Sequence, residues 1–369
     1  MNRADELPRV VHVYLDEPGG GPVHVALLRE VLGDAVRSEA VGLNPRLLGL
    51  SPVGWILAWR EIARRMGSET AILHAHGVRA AAAIVLPARR SRVPLLVTVH
   101  GLHALRRSRG PSALAARAIN RFAFKSADRV LVTSEADRQL ILERRLAAQD
   151  RVHRIHPVHR PQAQMVRSEA RQIFGLGDEV DVLLWLGRMA EEKDPITFIR
   201  ALKTVEGNHW IGLLVGDGPL FRELRILAEA AGLLPRIRLT GWMQDPSPAF
   251  AASDVFVSTS KWEGFPMAAL EAAAAGLPLV LTDCPGNRDV VASGIPAVLV
   301  PPGDDQAVSR EVGRLLEDPE LRQRLGRESL TAVARLTPER LREEMLATYG
   351  EIWKEHVGNT VRLGEAKLG

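Results

Sequence analysis

Two glutamates eight positions apart, Glu263 and Glu271, flank a turn that leads into a helix. The turn, Gly264-Phe265-Pro266-Met267, follows the apolar run Asp254–Ser258. It opens a small-residue stretch, Met267 to Ala275, which stops at Gly276 before Leu277-Pro278. Proline suits the first turn of a helix, where its missing N–H costs little, and glycine suits the left-handed residue just past the end. The amides at such a helix start attract anions, and Gly264 lets a ligand approach the backbone. Ionised carboxylates only accept hydrogen bonds, which is what a site needs to hold pairs of sugar hydroxyls.

A second group carries the opposite charge. In Leu186-Gly187-Arg188-Met189-Ala190-Glu191-Glu192-Lys193-Asp194-Pro195 an apolar run delivers Arg188 into a loop, and Lys193 follows five residues on, just before a helical stretch. Two converging cations bind a diphosphate and neutralise the charge that builds on it as a leaving group. Val215-Gly216-Asp217 and Gly241-Trp242-Met243 end two further apolar runs, with Asp217 read as a turn residue.

The first half holds glycines and histidines. Pro18-Gly19-Gly20-Gly21-Pro22 follows the first apolar run, and Gly20 and Gly21 allow close approach to a phosphate or a sugar. The pattern is not G-x-G-x-x-G, so a dinucleotide fold is disfavoured. Leu73-His74-Ala75-His76-Gly77 and Thr98-Val99-His100-Gly101-Leu102-His103 place histidines at strand ends, where they serve as hydrogen-bonding groups. For His76 a structural role is an equal alternative. A zinc site needs three or four ligands, and the chain has no H-E-x-x-H and no cysteine cluster, so no metal is expected.

The elements that must position these residues alternate in kind. Arg9–Leu15, Thr70–His76, Pro94–Gly101 and Arg129–Ser134 read as buried strands, as do Val180–Arg188, Trp210–Gly216, Arg236–Gly241, Asp254–Ser258, Leu279–Thr282 and Ala297–Val300. Pro22–Leu32, Pro111–Lys125, Asp137–Ala148, Pro195–Lys203 and Leu220–Ala231 have helical spacing. Continuous apolar strands between helices predict α/β domains with parallel sheets covered on both faces, binding ligands beyond the carboxyl ends of the strands. The last helix, Pro338 to about His356, carries Leu341, Met345, Tyr349 and Trp353 at fourfold spacing, ahead of a loose or partly helical tail.

With 369 residues the chain suits two domains. Residues 1–160 hold 25 Lys and Arg against 14 Asp and Glu, a net +11, and nine of the 11 histidines; the remainder carries a net −7. A basic half beside an acidic half supports a division near residue 160 and an anionic partner for the first half. The single cysteine, Cys284, excludes an internal disulfide, no secretory signal is visible, and no run approaches the roughly 20 apolar residues of a membrane span. A cytoplasmic protein is expected.

Glu-x(7)-Glu, set in Ser260–Asp283, resembles the signature of the retaining, nucleotide-sugar-dependent glycosyltransferases of family 4, also called group 1, which have the GT-B fold. Gly187-Arg188 with Lys193 resembles the same family's phosphate motif, and the likeness extends over almost the whole chain, most strongly from Val182 to Asp289. The resemblance implies two Rossmann-like domains facing each other across a cleft: 1–160, completed by the helix at about 340–369, for the acceptor, and 161–339 for the nucleotide sugar. It implies Arg188 and Lys193 as pyrophosphate ligands, His100 and Glu263 at the transferring hexose, and Glu271 at the ribose hydroxyls. Gly20, Gly21, Gly216, Trp242, Met243, Gly264, Phe265, Pro266 and Met267 fall on the donor side, and His76 and His103 on the acceptor side.

It further implies retention without metal or cofactor, with a UDP-sugar as co-substrate and the leaving diphosphate helping to deprotonate the incoming hydroxyl. A nucleotide-sugar epimerase and a non-catalytic carbohydrate-binding subunit are the alternatives. No nucleic-acid partner is expected. Two positions depart from the family pattern: Pro266 stands where many members have glycine, and Arg154–His159 where many have a Pro-Asn-Gly turn. Arg106, Arg107, Arg109, Arg117, Arg121 and Lys125 surround the apolar stretch Ala113–Phe124, which suits peripheral contact with an anionic membrane, an anionic acceptor, or a solvated basic face. A glycan, a lipid-linked acceptor and a small molecule all stay open.

Overall fold

The computed structural model describes residues 9–17, 20–45, 52–66, 71–102, 111–158, 165–207 and 209–365. The chain divides into two compact units, Met1–His156 with Pro338–Gly369, and Pro157–Thr337.

The first unit is built on a six-stranded sheet in the order β2-β1-β3-β4-β5-β6, with every pairing parallel. In chain order it runs β1 (Arg9–Leu15), α1 (Gly20–Leu32), β2 (Ser38–Leu43), α2 (Pro52–Met66), β3 (Ala71–His76), α3 (Val78–Ser91), β4 (Leu95–Val99), α4 (Pro111–Ser126), β5 (Arg129–Val132), α5 (Glu135–Glu143) and β6 (Val152–Arg154). Side chains alternate across a strand, so each face of the sheet can be read off by twos. Val11, Val13, Leu73, Ala75, Val97, Val99, Val130 and Val132 share one apolar core. The residues between them are not all apolar: His12, His74, His76 and Thr98 are also buried, and the register sets His12 beside His74 and His76 beside Thr98.

The second unit adds α6 (Arg167–Ile173), β7 (Asp181–Leu186), α7 (Pro195–Thr204), β8 (Trp210–Val215), α8 (Phe221–Ala230), β9 (Ile237–Gly241), α9 (Ser247–Ala252), β10 (Val255–Ser258), α10 (Met267–Ala274), β11 (Leu279–Thr282), α11 (Pro285–Ala292), β12 (Val298–Val300), α12 (Asp305–Glu317) and α13 (Pro319–Val333). Its parallel sheet has the order β12-β11-β10-β7-β8-β9. Here both faces are apolar: Leu184, Phe256 and Leu281 enter one core, and Leu183, Trp185, Val257 and Val280 the other. That explains why these strands read as unbroken hydrophobic runs.

The final helix, α14 (Pro338–Glu365), belongs to the first unit. Its buried stripe is Leu341, Met345, Tyr349, Ile352 and Trp353, and it packs against α1. It runs on past His356 to Glu365, where the sequence pattern suggests a looser tail. Two strands escaped the sequence reading, β2 and β6, and both are edges of the first sheet.

Candidate active site

In the second unit the predicted donor residues leave the carboxyl ends of adjacent parallel strands. Arg188 follows β7, Gly216 follows β8, Trp242 and Met243 follow β9, and the turn Glu263–Met267 follows β10. The strand order reverses between β7 and β10, which is where open α/β sheets bind ligands. Lys193 and Glu263 meet there: Nζ donates to both carboxylate oxygens, at 2.6 and 2.8 Å. Glu263 is only 6% exposed, and Ser260 Oγ donates to the same carboxylate at 2.6 Å. Arg188 is exposed, in the same loop as Lys193.

A hydrogen-bonded scaffold fixes that pair. Thr259 Oγ1 donates to the Asp194 carbonyl at 2.7 Å and accepts from the indole of Trp185 at 3.1 Å. The Lys261 amide donates to the Glu192 carbonyl at 2.9 Å, and Thr282 Oγ1 to the Ser260 carbonyl at 2.5 Å. Asp194 itself sits in the left-handed region at φ 46°. Two glycines allow backbone to approach backbone where a side chain has no room. A Cβ on Gly216 (φ 135°) would meet the Gly187 carbonyl oxygen at 1.9 Å, and one on Gly286 would meet the Gly264 carbonyl oxygen at 2.1 Å. Sequence reasoning singled out neither Gly286 nor Ser260, Thr259 and Thr282. The stretch Asp283–Asp289 is largely helical: Pro285 starts α11, and Asn287 Nδ2 donates to the Thr282 carbonyl at 2.7 Å.

Pro266 immediately precedes α10, whose Ala269 and Leu270 amides return to the Pro266 carbonyl. Gly276 closes the helix at φ 75°. Gly264, Phe265 and Pro266 are buried, whereas Met267 is 42% exposed and Trp242 69% exposed. Glu271, further along α10, borders a cavity of about 700 Å³ together with Ser247, Phe250 and Leu277. Burial, with a smaller contribution from Asp245, pushes its carboxyl up to about 7.

The first unit assembles a different site. Its strand order reverses between β1 and β3, and five imidazoles gather at that point: His12 from β1, His74 and His76 from β3, His24 from α1 and His100 just after β4. His12 Nδ1 and His76 Nε2 are 3.0 Å apart, and His24 Nδ1 lies 3.4 Å from His76 Nδ1. His74 is held between Thr98 Oγ1, at 2.7 Å, and the Tyr349 hydroxyl of α14, at 2.8 Å. His100 lies edge-on to His24 and stacked on His76. Burial lowers the pKa of all five, to about 3 for His12 and about 4 for His100, so they are neutral near pH 7.

Three imidazole nitrogens converge twice in this arrangement, which the sequence motifs did not reveal. The nitrogens of His24, His76 and His100 lie within 4.8 Å of one another, as do those of His12, His74 and His76. His12 and His24 were missed because each is a lone histidine in an apolar segment; the signal was the excess of histidine in the first 160 residues. Gly20 and Gly21 form the first turn of α1 rather than a loop ahead of it. His103, Arg106, Arg107 and Arg109 lie outside the described residues.

The family model described as glycosyl transferases group 1 matches residues 166–331, and that of the glycosyl transferase 4-like domain matches 5–157. The alpha-D-kanosaminyltransferase of Streptomyces kanamyceticus is 31% identical over 292 residues, covering 73% of this chain and 74% of the relative. The chain belongs to the group 1 glycosyltransferases. The Escherichia coli UDP-Gal:alpha-D-GlcNAc-diphosphoundecaprenol alpha-1,3-galactosyltransferase is 27% identical over 257 residues, covering 67% of this chain and 66% of that one. Among solved structures, Anabaena HepE in complex with UDP and glucose superimposes with a TM-score of 0.79 at 17% identity, covering 93% of this chain and all of the other. Sucrose-phosphate synthase from Thermosynechococcus elongatus gives 0.80 at 19%, covering 94% and 99%. These likenesses show the GT-B fold, with its two Rossmann-like parallel sheets. Membership of this family supports glycosyl transfer from a nucleotide-sugar donor.

Proposed function

We propose that this glycosyltransferase moves a hexose from a UDP-sugar to an acceptor hydroxyl with retention and without a catalytic metal. The observation that carries the reading is the Lys193–Glu263 pair at the switch point of the second sheet, with Arg188 exposed in the loop that delivers Lys193. A diphosphate entering there meets Arg188 and draws Lys193 from its carboxylate, so cationic charge is in place where leaving-group charge develops. Glu263, released from the lysine, faces the sugar carbon as positive charge builds on it. Glu271 accepts from the ribose, and neutral His100 hydrogen-bonds the hexose. The known complexes of HepE with UDP and UDP-glucose support the choice of base.

The test is turnover of UDP-hexoses, followed by mass spectrometry with and without acceptors and with and without EDTA. Acceptor-dependent transfer that EDTA leaves unchanged is expected. Donor consumption without acceptor would point to an epimerase, and activity that EDTA removes and magnesium restores would overturn the metal-free mechanism.

One feature favours a lipid-linked acceptor over a small soluble one. On α2, Val53, Ile56 and Leu57 are 44–60% exposed beside Arg60, Arg64 and Arg65; on α4, Leu114, Ile119 and Phe122 are 43–70% exposed beside Arg117, Arg121 and Lys125. Both helices pack on α3, so apolar and basic groups share one region of the first unit. That combination suits the surface of an anionic bilayer. No helix among the described residues is long and apolar enough to cross a membrane. Salt-reversible sedimentation with anionic but not neutral vesicles, lost in the double substitution Leu114→Ser and Phe122→Ser, is the expected result.

A further inference from the structure

The histidine cluster of the first unit contains more imidazoles than the transfer reaction uses. Of its two possible ligand triads, one is largely committed to internal hydrogen bonds, although His12 Nε2 is buried without a partner. His74 spends both ring nitrogens on Thr98 and Tyr349, and His12 and His76 face each other at 3.0 Å. The other triad is not. His24 Nδ1 and His76 Nδ1 stand 3.4 Å apart, a long and weak hydrogen bond. It is, however, the separation that two nitrogens take on a tetrahedral ion at about 2.0–2.1 Å from each. The third member, His100, has a buried Nε2 with no hydrogen-bond partner. His24 and His100 are only partly buried, so an ion can reach the triad from solvent.

We propose that His24, His76 and His100 form a binding site for a zinc-class transition-metal ion, and that the bound ion inhibits transfer by occupying His100. Three neutral imidazoles with no carboxylate select zinc, cobalt, nickel or copper over magnesium and calcium, which prefer oxygen. The orientation of the central ligand is prepared. With Nδ1 on the metal, His76 donates its Nε2–H to His12 Nδ1, the kind of outer partner that fixes a ligating ring. Three protein ligands leave the fourth tetrahedral position to water or to an incoming hydroxyl. The binding claim stands on geometry alone; only its inhibitory consequence rests on the reading of His100 as a residue at the donor hexose.

The test uses tag-free full-length protein, stripped with chelator and titrated with Co²⁺. One equivalent with the visible absorption of a tetrahedral site is expected, displaced by Zn²⁺ and unaffected by Mg²⁺. Zinc should also raise the melting temperature, since a ligand that binds only the folded state stabilises it. His24→Gln, at a partly exposed helix position, keeps the fold and should weaken Co²⁺ binding at least tenfold. Where transfer is measurable, micromolar zinc should inhibit the wild type and not His24→Gln, each read against its own zinc-free rate. Absence of a saturable cobalt spectrum, or a spectrum unchanged in His24→Gln, overturns the site. Cobalt binding without inhibition keeps the site and overturns the role given to His100.

Discussion

The two sheets place very different chemistry at the same topological position. Where the strand order of the first unit reverses, between β1 and β3, stand neutral, buried imidazoles; where that of the second reverses, between β7 and β10, stands a lysine–carboxylate pair with an arginine in the same loop as the lysine. A fold that aims strand ends at one point does not decide what is put there. The first unit mixes buried His12, His74, His76 and Thr98 with Val10, Ile72, Leu96 and Leu131 on one face of its sheet, and the second keeps both faces apolar and carries its charge in the loops beyond. The units should therefore respond to acid in opposite ways.

The largest predicted effect is acid lability of the first unit. The folded imidazoles have depressed pKa values, so below the ordinary value of 6.5 the unfolded chain binds more protons than the folded one. Their stabilising contribution is complete above pH 6.5 and is lost as pH falls toward the folded values, about 3 for His12 and about 4 for His100. At pH 5 each fully buried imidazole costs about 2 kcal/mol. His12, His74 and His76 together then threaten a unit whose whole stability is about 5–15 kcal/mol. Two units need not melt as one, so hydrogen exchange resolved by peptide is the appropriate measurement. Protection in β1, β3 and β4 should fall between pH 6.5 and 5 while β7, β10 and β11 hold. Equal loss in both sheets would refute the contrast.

The next effect breaks the charged site. Lys193→Ala leaves the Glu263 carboxylate buried without its cation, at a cost of about 3 kcal/mol to the second unit. Arg188→Ala removes an exposed side chain and should change stability by less than about 0.5 kcal/mol. Both should lower transfer by about 100-fold or more if both cations meet the diphosphate. Melting and kinetics on the two variants separate positioning from chemistry: a stable Arg188→Ala with full activity would remove arginine from the mechanism.

How much of this was legible in the sequence follows from the same contrast. The charged site was readable because loops carry chemistry in contiguous motifs: Gly187-Arg188 through Lys193, and Glu263 through Glu271. Their meeting across 70 residues was not, since no spacing encodes which strands are neighbours. The central strands were readable as apolar runs, but the edges were not. β2, Ser-Glu-Ala-Val-Gly-Leu, packs on one side only and alternates too weakly to stand out. α11 hid because Pro285, Gly286 and Asn287 are turn formers, here used to start a helix against Gly264. The histidine site was least readable of all. It is assembled by the period of two in β1 and β3, by their register, and by a helix that returns over the sheet.

A smaller effect divides the two glutamates of the opening motif. Glu263 lies at the strand-end turn where charge is proposed to develop during transfer, so Glu263→Gln should lower kcat, by about 100-fold if it acts as one electrostatic group. Glu271 lies deeper on α10, where the ribose it is proposed to hold does not change during reaction. Glu271→Gln should therefore raise the donor KM more than it lowers kcat. Steady-state kinetics on one UDP-sugar decides it; matching or reversed patterns would refute the division of labour.

The smallest effect concerns Glu271 before any donor binds. Burial and Asp245 raise its carboxyl from the ordinary 4.5 to about 7, opposite to the shift of the histidines. Between those values the folded chain binds more protons than the unfolded one, so this group's contribution to stability falls as pH rises from about 4.5 to 7 and is level above. Water reaching a group that is not fully buried reduces the size to the order of 1 kcal/mol. At pH 8, then, Glu271→Gln should melt no lower than the wild type, in contrast to Lys193→Ala. The same titration bears on binding, because only the ionised carboxylate accepts from both ribose hydroxyls. UDP affinity, measured by calorimetry at pH 6 and pH 8, should rise with pH in the wild type and stay flat in Glu271→Gln. A wild-type affinity that ignores pH across 7 would show that Glu271 is charged throughout or does not touch the nucleotide, and the melting curves of the variant at the two pH values would distinguish these outcomes.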